Sequence, residues 1–394
     1  MVPIICSTSA RPRPAGTTVV KGEPLTDTGQ TAAPAAGKIV GPTRVALLNG
    51  KIVDAVEMTT VASEATESES PPPPPGPIHS TDLGKWIDRF EQFGVNAMRS
   101  SSPDLLGQLR AALERPIRRL LCCALDSDPS LQLNSATAKA YTAEMAAGID
   151  LLVKLTGPNR IWVAIDPTVP AKSLHDLNPL VRSAGLRVIQ LPGDYPQADP
   201  TVLLHTLLDR RLRPGRLPTD EAVIMLDAPA AVAVGRLFLR GQKMLDTPIA
   251  VRDHVAHKSY LLLVPIGTPL SDLCAALDVP AKSVLLRGGD FLRDIYLPLD
   301  AVVGPGELMV HITAAQTPTV PDPCVRCGWC IEGCPTGVHP ARLLEASQRD
   351  DAPLARKFGL HACIECGICS YVCPSRLPLL SSIRKLKATI GADT

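Results

Sequence analysis

The chain has 394 residues, 45% hydrophobic and 20% charged, which is enough for two or three packed domains and excludes wholesale disorder. Lys and Arg total 40 against 39 Asp and Glu, and aromatics make up only 3%, so neither a basic field nor a stacking surface for nucleic acid is present. No apolar run reaches the length of a membrane span, and residues 1–10 lack the charged start and apolar core of an export signal, which predicts a soluble, non-exported protein.

In chain order, residues 1–15 are rich in Ser, Pro and Arg and read as a flexible tail. Residues 16–60 carry short β-type pieces at 18–20, 38–40, 45–48 and 51–53, separated by Gly22, Gly37, Gly41 and Gly50, which predicts a small β module. An acidic serine stretch and five consecutive prolines make residues 61–79 a linker. Leu83, Trp86, Ile87, Phe90 and Phe93 then recur at helical spacing behind the capping candidates Ser80, Thr81 and Asp82. A second helical segment follows, then a strand at 120–125 and a long helix over 135–156 that ends near Gly157. Strands at 160–165, 187–191 and 222–226 alternate with helices at 174–184 and 202–212. Such alternation predicts a Rossmann-like α/β domain over 80–256 with a largely parallel sheet. Residues 257–315, with strands at 260–265 and 283–286, a helix at 270–277 and the turn Arg287-Gly288-Gly289-Asp290, read as a β-grasp-like unit.

Residues 316–394 hold the strongest signal. Cys324, Cys327, Cys330 and Cys334, then Pro335, form C-x2-C-x2-C-x3-C-P, and Cys363, Cys366, Cys369 and Cys373, then Pro374, repeat it. In this spacing three thiolates wrap one cubane while the fourth turns away to the other cluster. Two [4Fe-4S] clusters with exchanged ligands are therefore expected, one on Cys324, Cys327, Cys330 and Cys373, the other on Cys363, Cys366, Cys369 and Cys334. Disulfides would need an oxidising compartment, and zinc sites use two separated pairs rather than a three-plus-one run. Gly328 and Gly367 sit where the loop must turn closely. Residues 341–348 and 354–358, between the runs, read as helices, which fits an α-helical ferredoxin-type domain. The predicted fold class is thus multidomain α/β plus small β modules and this C-terminal dicluster domain.

The remaining candidates have ordinary readings. Cys6, Cys122, Cys123 and Cys274 lack ligand spacing and read as small core or surface residues. Trp329 is placed either to shield a cluster or simply to pack, His339 and His361 lie outside the ligand spacing, and Glu332 and Glu365 tune charge. Two basic groups, Arg110, Arg115, Arg118 and Arg119, and Arg210, Arg211, Arg213 and Arg216, are either docking sites for an acidic carrier or solvated faces.

Residues 363–379, reading CIECGICSYVCPSRLPL, closely resemble the second cluster run of RnfC, the peripheral subunit of the Rnf electron-transport complex. Residues 20–39, Tyr195-Pro196-Gln197, Ile266-Gly267-Thr268-Pro269 and Arg287-Gly288-Gly289 resemble further family segments, in the family's order. The resemblance implies a barrel-sandwich module at 16–60, an α/β domain of the complex I NADH-binding type at 80–256, a soluble-ligand-binding β-grasp domain at 257–315 and a dicluster domain at 316–394. One departure bears on cofactors. Where the family carries a glycine-rich loop against a nucleotide phosphate or flavin, residues 94–103 read GVNAMRSSSP, with side chains at Ala97, Arg99, Ser100 and Ser102 in place of glycines. Asp126 and Asp128 stand where the family has an acidic segment near flavin and nicotinamide, and are read as a remnant of that site.

The expectation is an RnfC-like electron-transfer chain with two [4Fe-4S] clusters and a degenerate FMN and NADH site. Its partners would be ferredoxin, flavodoxin or the membrane subunits of an Rnf-like complex, and its location cytoplasmic, with any place on the cytoplasmic face of the inner membrane due to those subunits. The alternatives are a flavin- and NADH-linked oxidoreductase, of Rnf or cobalamin-reductase type, and a cluster-bearing adaptor without catalysis.

Overall fold

The computed structural model describes residues 2–5, 11–27, 32–60, 77–95, 102–128, 130–210, 212, 216–280, 283–306, 308–315 and 320–391. Two compact bodies divide the chain: residues 1–200, 217–289 and 295–314 form the first, and residues 201–216, 290–294 and 315–394 the second.

The first body begins with an antiparallel sheet in the order β1-β4-β3-β2, built from β1 (Val2–Ile5), β2 (Thr18–Val19), β3 (Gly37–Ala46) and β4 (Ile52–Thr60). The segment expected as a flexible tail therefore contributes a strand, because Val2 to Ile5 pair with Met58 to Ala55. Two pieces that read as separate join in β3, since the register shifts between Ile39 and Gly41 and the ladder absorbs the glycine as a bulge. Asn49 and Gly50, with Gly50 at φ 74°, turn β3 into β4.

Next come α1 (Leu83–Gln92), α2 (Leu105–Glu114), β5 (Arg119–Cys123), α3 (Leu133–Ala140), α4 (Thr142–Thr156), β6 (Arg160–Ile165), α5 (Asn178–Ser183), β7 (Arg187–Gln190), β8 (Val223–Asp227) and α7 (Ala228–Arg240), while α6 (Pro200–Leu208), but for its first residue, belongs to the second body. The strands make a parallel sheet in the order β7-β6-β5-β8. Both faces of β5 and β8 are covered, which is why they read as continuous apolar runs rather than alternating ones. The single helix expected over 135–156 is two, broken at Tyr141 (φ −129°, ψ 42°), where the Thr142 hydroxyl donates back to the Ala138 carbonyl at 2.8 Å. Gly157 ends α4 in the left-handed conformation, as its position foretold.

A five-stranded sheet in the order β10-β9-β13-β11-β12 completes this body, from β9 (Asp246–Asp253), β10 (Lys258–Pro265), β11 (Val284–Gly288), β12 (Ile295–Leu297) and β13 (Met309–Ala314), with α8 (Leu270–Ala276) packed among its apolar residues. The domain boundary expected between 256 and 257 falls inside the β9–β10 hairpin, so this sheet takes in 246–253 as well. Val302 N–H donates to the Ala46 carbonyl, and Gly288 lies against the backbone of Leu48, fastening the small β module to this sheet.

The second body carries α9 (Trp329–Glu332), α10 (Pro340–Arg349), α11 (Ala352–Lys357), α12 (Ile368–Tyr371) and α13 (Leu379–Gly391). Its core unites Val338, Leu343, Leu360, Leu379, Ile383 and Leu386 with the side chains of several cysteines. No described helix is long and apolar enough to cross a membrane.

Candidate metal centres

The two cysteine runs fold alike at positions 39 residues apart. Arg326 and Glu365 both sit at φ 57°, and Gly328 and Gly367 at φ 85° and 81°. Each glycine starts a one-turn helix, α9 or α12, because only a residue without Cβ takes that turn cheaply. After the fourth cysteine, Gly337 and Arg376 share a positive φ and donate their N–H to the Cys334 and Cys373 carbonyls.

This path separates the fourth cysteine of each run from its first three. Cys324, Cys327 and Cys330 line one cavity together with Cys373, whereas Cys363, Cys366 and Cys369 line another with Cys334. The electrostatics divide the same way. Burial raises the Cys330 thiol, and neighbouring Cys327 and Cys373 raise it further. Burial pushes Cys369 up to about 12, with Cys363, Cys366 and Cys334 adding to the shift. Cys366 rises to about 11, again chiefly by burial. Iron loading at these sites must displace protons from the thiols.

The donor set fits a cubane. Each corner iron of a cubane takes one thiolate, so the four sulfurs must ring a cavity; a zinc ion instead needs four donors at about 2.3 Å from one point. Among the described residues no three His, Cys, Asp or Glu side chains converge on such a point. The quartets differ in access, since Cys324 and Cys327 are exposed while Cys366 and Cys369 are buried.

Around the second loop the sequence left a network unread. The Glu365 carboxylate is held by Lys387 Nζ at 2.8 Å and Arg384 Nε at 3.1 Å. Burial alone would raise the Glu365 pKa, but these two cations outweigh it and hold it below the usual range. Glu365 N–H also donates to Cys363 Sγ at 3.4 Å. Only the backbone fold brings α13 to residue 365, so spacing along the chain carries no sign of it. His339 caps α10, its Nδ1 accepting from Arg342 N–H at 3.3 Å, and its ring meets Phe358 edge-on. His361 and Glu332 are exposed. Trp329 is 54% exposed, which places it at the surface of the loop rather than over a sealed centre.

Two parts of the chain match known domain families. Residues 107–236 match the model of the Nuo51 FMN-binding domain and residues 323–377 that of the 4Fe-4S dicluster domain. The RnfC protein of the ion-translocating oxidoreductase complex of Rhodobacter capsulatus is 28% identical over 304 residues, 76% of this chain and 58% of that protein. Its namesake in Yersinia pseudotuberculosis is 25% identical across 96% of this chain and 55% of its own length. The chain is similar to RnfC over most of its length. It spans little more than half the length of these two relatives. The NAD+-reducing [NiFe]-hydrogenase, in its H2-reduced state, has a chain of the same fold, with a TM-score of 0.55 at 14% identity, covering 78% of this chain and 61% of that one.

The RnfC resemblance singled out Asp126 and Asp128 as a flavin remnant, and both carboxylates are engaged within the protein. Asp126 Oδ1 accepts from the N–H groups of Asn134 and Ser135 at 2.7 and 3.0 Å, capping α3. Asp128 Oδ1 accepts from Ser130 N–H and Oγ, and its Oδ2 lies 3.3 Å from His311 Nε2 on β13. His311 is fully buried and its Nδ1 lies 3.0 Å from His254 Nε2. These contacts fasten the β5–α3 loop to the five-stranded sheet. Residues 96–101 of the altered glycine loop lie outside the described residues, as do Cys6, Arg211 and Arg213. Arg110 pairs with Glu91 and Arg115 with Asp220, while Arg210 and Arg216 are exposed. Cys122 and Cys123 are core residues of β5, and burial pushes the Cys123 thiol up to about 12.

Asp126 has a measurable signature. Burial, opposed by its bonds to Ser135 and Asn134, raises its pKa from 3.8 to about 6. A raised carboxyl pKa means that the folded state holds the proton more tightly, so stability falls as pH rises from about 4 to about 6, by at most about 3 kcal/mol, and is level above that. Asp126→Asn keeps an acceptor for both N–H groups and removes the titration. Denaturant unfolding followed through the buried Trp86 is expected to show that fall in the native chain and not in the variant; equal pH profiles would contradict it.

Proposed function

We propose that this chain is the iron-sulfur electron-transfer subunit of a multi-subunit oxidoreductase complex, relaying single electrons between a redox partner and a membrane-bound or soluble acceptor. What carries the reading is that each cavity gathers three cysteines of one run and the fourth of the other. A bound [4Fe-4S] cluster supplies one-electron uptake and release. Cys324, Cys327, Cys330 and Cys373 hold one, and Cys363, Cys366, Cys369 and Cys334 the other. The protein's part is to fix the thiolates, to aim backbone N–H groups such as that of Glu365 at sulfur, and to set the burial of each site. Ferredoxin, flavodoxin or membrane subunits of an Rnf-like complex are the partners proposed. A place on the cytoplasmic face of a membrane would then come from those membrane-bound partners.

A second reading, an oxidoreductase linked to flavin and NADH, is favoured by the match of residues 107–236 to an FMN-binding domain. Protein purified without oxygen separates the two. About eight irons with matching acid-labile sulfide and no flavin support a relay, and the same iron with stoichiometric FMN supports the flavin-linked enzyme. Iron that does not cycle with dithionite and air would leave an adaptor and overturn both.

A further inference from the structure

The two ligand loops share a backbone path but not an environment, and positions 39 residues apart make the contrast direct. Val325 and Trp329 are 65% and 54% exposed, whereas their counterparts Ile364 and Ile368 are only partly exposed. Cys327 is exposed and its counterpart Cys366 is buried.

The cause lies in residues 290–294, which belong to the same body as the loops. A Cβ added to Gly367 would lie 1.9 Å from the Leu292 carbonyl oxygen, so this backbone rests directly on the second loop. Gly328, at nearly the same φ, has nothing within 4 Å. The segment is pinned twice. Asp290 and Arg293 form a buried ion pair, and Arg384 Nη2 donates to the Arg293 carbonyl at 2.6 Å while its Nε holds Glu365. Lys387 braces the loop beneath it, donating to the Cys363 carbonyl at 2.6 Å and to Glu365.

We propose that residues 290–294, fastened by Arg384, form a fixed cap over the second ligand loop, so that outside one-electron partners exchange electrons only at the first loop, beside Cys324 and Cys327. A cap of pinned backbone excludes both solvent and the close approach that electron exchange needs, while the first loop offers its ligands at the surface. This rests on the ligand assignment proposed above.

The test uses the full chain, loaded and reduced without oxygen, with ferricyanide as the oxidant, which gains the one electron that the protein loses. Cys366→Ala leaves the first-loop site alone and Cys327→Ala the second. Reoxidation of Cys327→Ala is expected to be about tenfold the slower, a factor equivalent to about 1.4 kcal/mol in barrier height. Adding Gly367→Ala removes the slowing, whereas Gly328→Ala, with the same backbone strain and no clash, leaves it. Equal rates in the two cysteine variants, each holding half the iron, overturn the cap. Where a variant retains no iron, chelation of the native chain decides: two phases of equal amplitude, with the slow one lost on Gly367→Ala alone, support the cap, and a single phase overturns it. Full iron in Cys366→Ala overturns the ligand assignment instead, and the cap with it.

Discussion

Replacing Cys327 or Cys373 with alanine is expected to remove one and the same cluster, although these residues lie in different runs. Cys366→Ala and Cys334→Ala are expected to remove the other. Each variant should keep about half of the iron, and the low-temperature electron paramagnetic resonance spectrum of the reduced protein should sort the four into these two pairs. The pairing follows from the cavities, since Cys373 lines the one framed by Cys324, Cys327 and Cys330, and Cys334 the one framed by Cys363, Cys366 and Cys369. Sorting by run, with Cys373→Ala matching Cys366→Ala, would show that no exchange of ligands takes place. Loss of fold should accompany loss of iron. Cys330, Cys334, Cys363, Cys369 and Cys373 all pack against the core of the second body, so an emptied site is also a hole in that core.

How far the sequence announced this arrangement depends on how local each cause is. The cysteine spacing, the glycines at 328 and 367 and the cap at Gly157 act within a few residues, and each stands where the sequence reading placed it. The apolar runs of β5, β6 and β8 likewise disclosed a buried parallel sheet. The helix α7 escaped notice because its first two turns are Ala, Pro and Val alone, and its polar face, Arg236 and Arg240, comes only near its end. Its ends were nonetheless marked, by Asp227 accepting from Ala230 N–H, by Pro229 in the first turn and by Gly241 at the close.

Asp126 and Asp128 show the opposite case. The acidic segment is plain in the sequence, but the donors that fold against its carboxylates are not. Here those are the first turn of α3 and His311, which lies 183 positions after Asp128. The cap over the second ligand loop is non-local in the same way, since nothing near Gly367 in the chain tells it from Gly328. The cysteine runs were thus legible in the sequence and their surroundings were not, and the surroundings are what make two equal repeats unequal.

The second large effect expected lies far from the clusters, where α4 crosses α7. A Cβ at Gly235 would fall 1.8 Å from the Glu144 carbonyl oxygen, and one at Gly148 would fall 2.0 Å from that of Ala231. Both neighbours are helix backbone, so no side chain can rotate aside and the helices themselves must part. They carry Met145, Ile149, Leu152, Val234 and Leu237 into the core beside β5, β6 and β8, and parting them loosens that packing. Gly235→Ala is therefore expected to cost about 3 kcal/mol or more by overpacking, well beyond the about 1 kcal/mol by which alanine favours a helix over glycine. Gly84→Ala in α1 is the control, because nothing lies within 4 Å of its Cβ and the change should be neutral or slightly stabilising. Denaturant unfolding of the first body, read through Trp86, should show a lower midpoint for Gly235→Ala at unchanged slope, while the iron content stays that of the native chain. An unshifted midpoint would mean that the two helices do not meet backbone to backbone at these glycines.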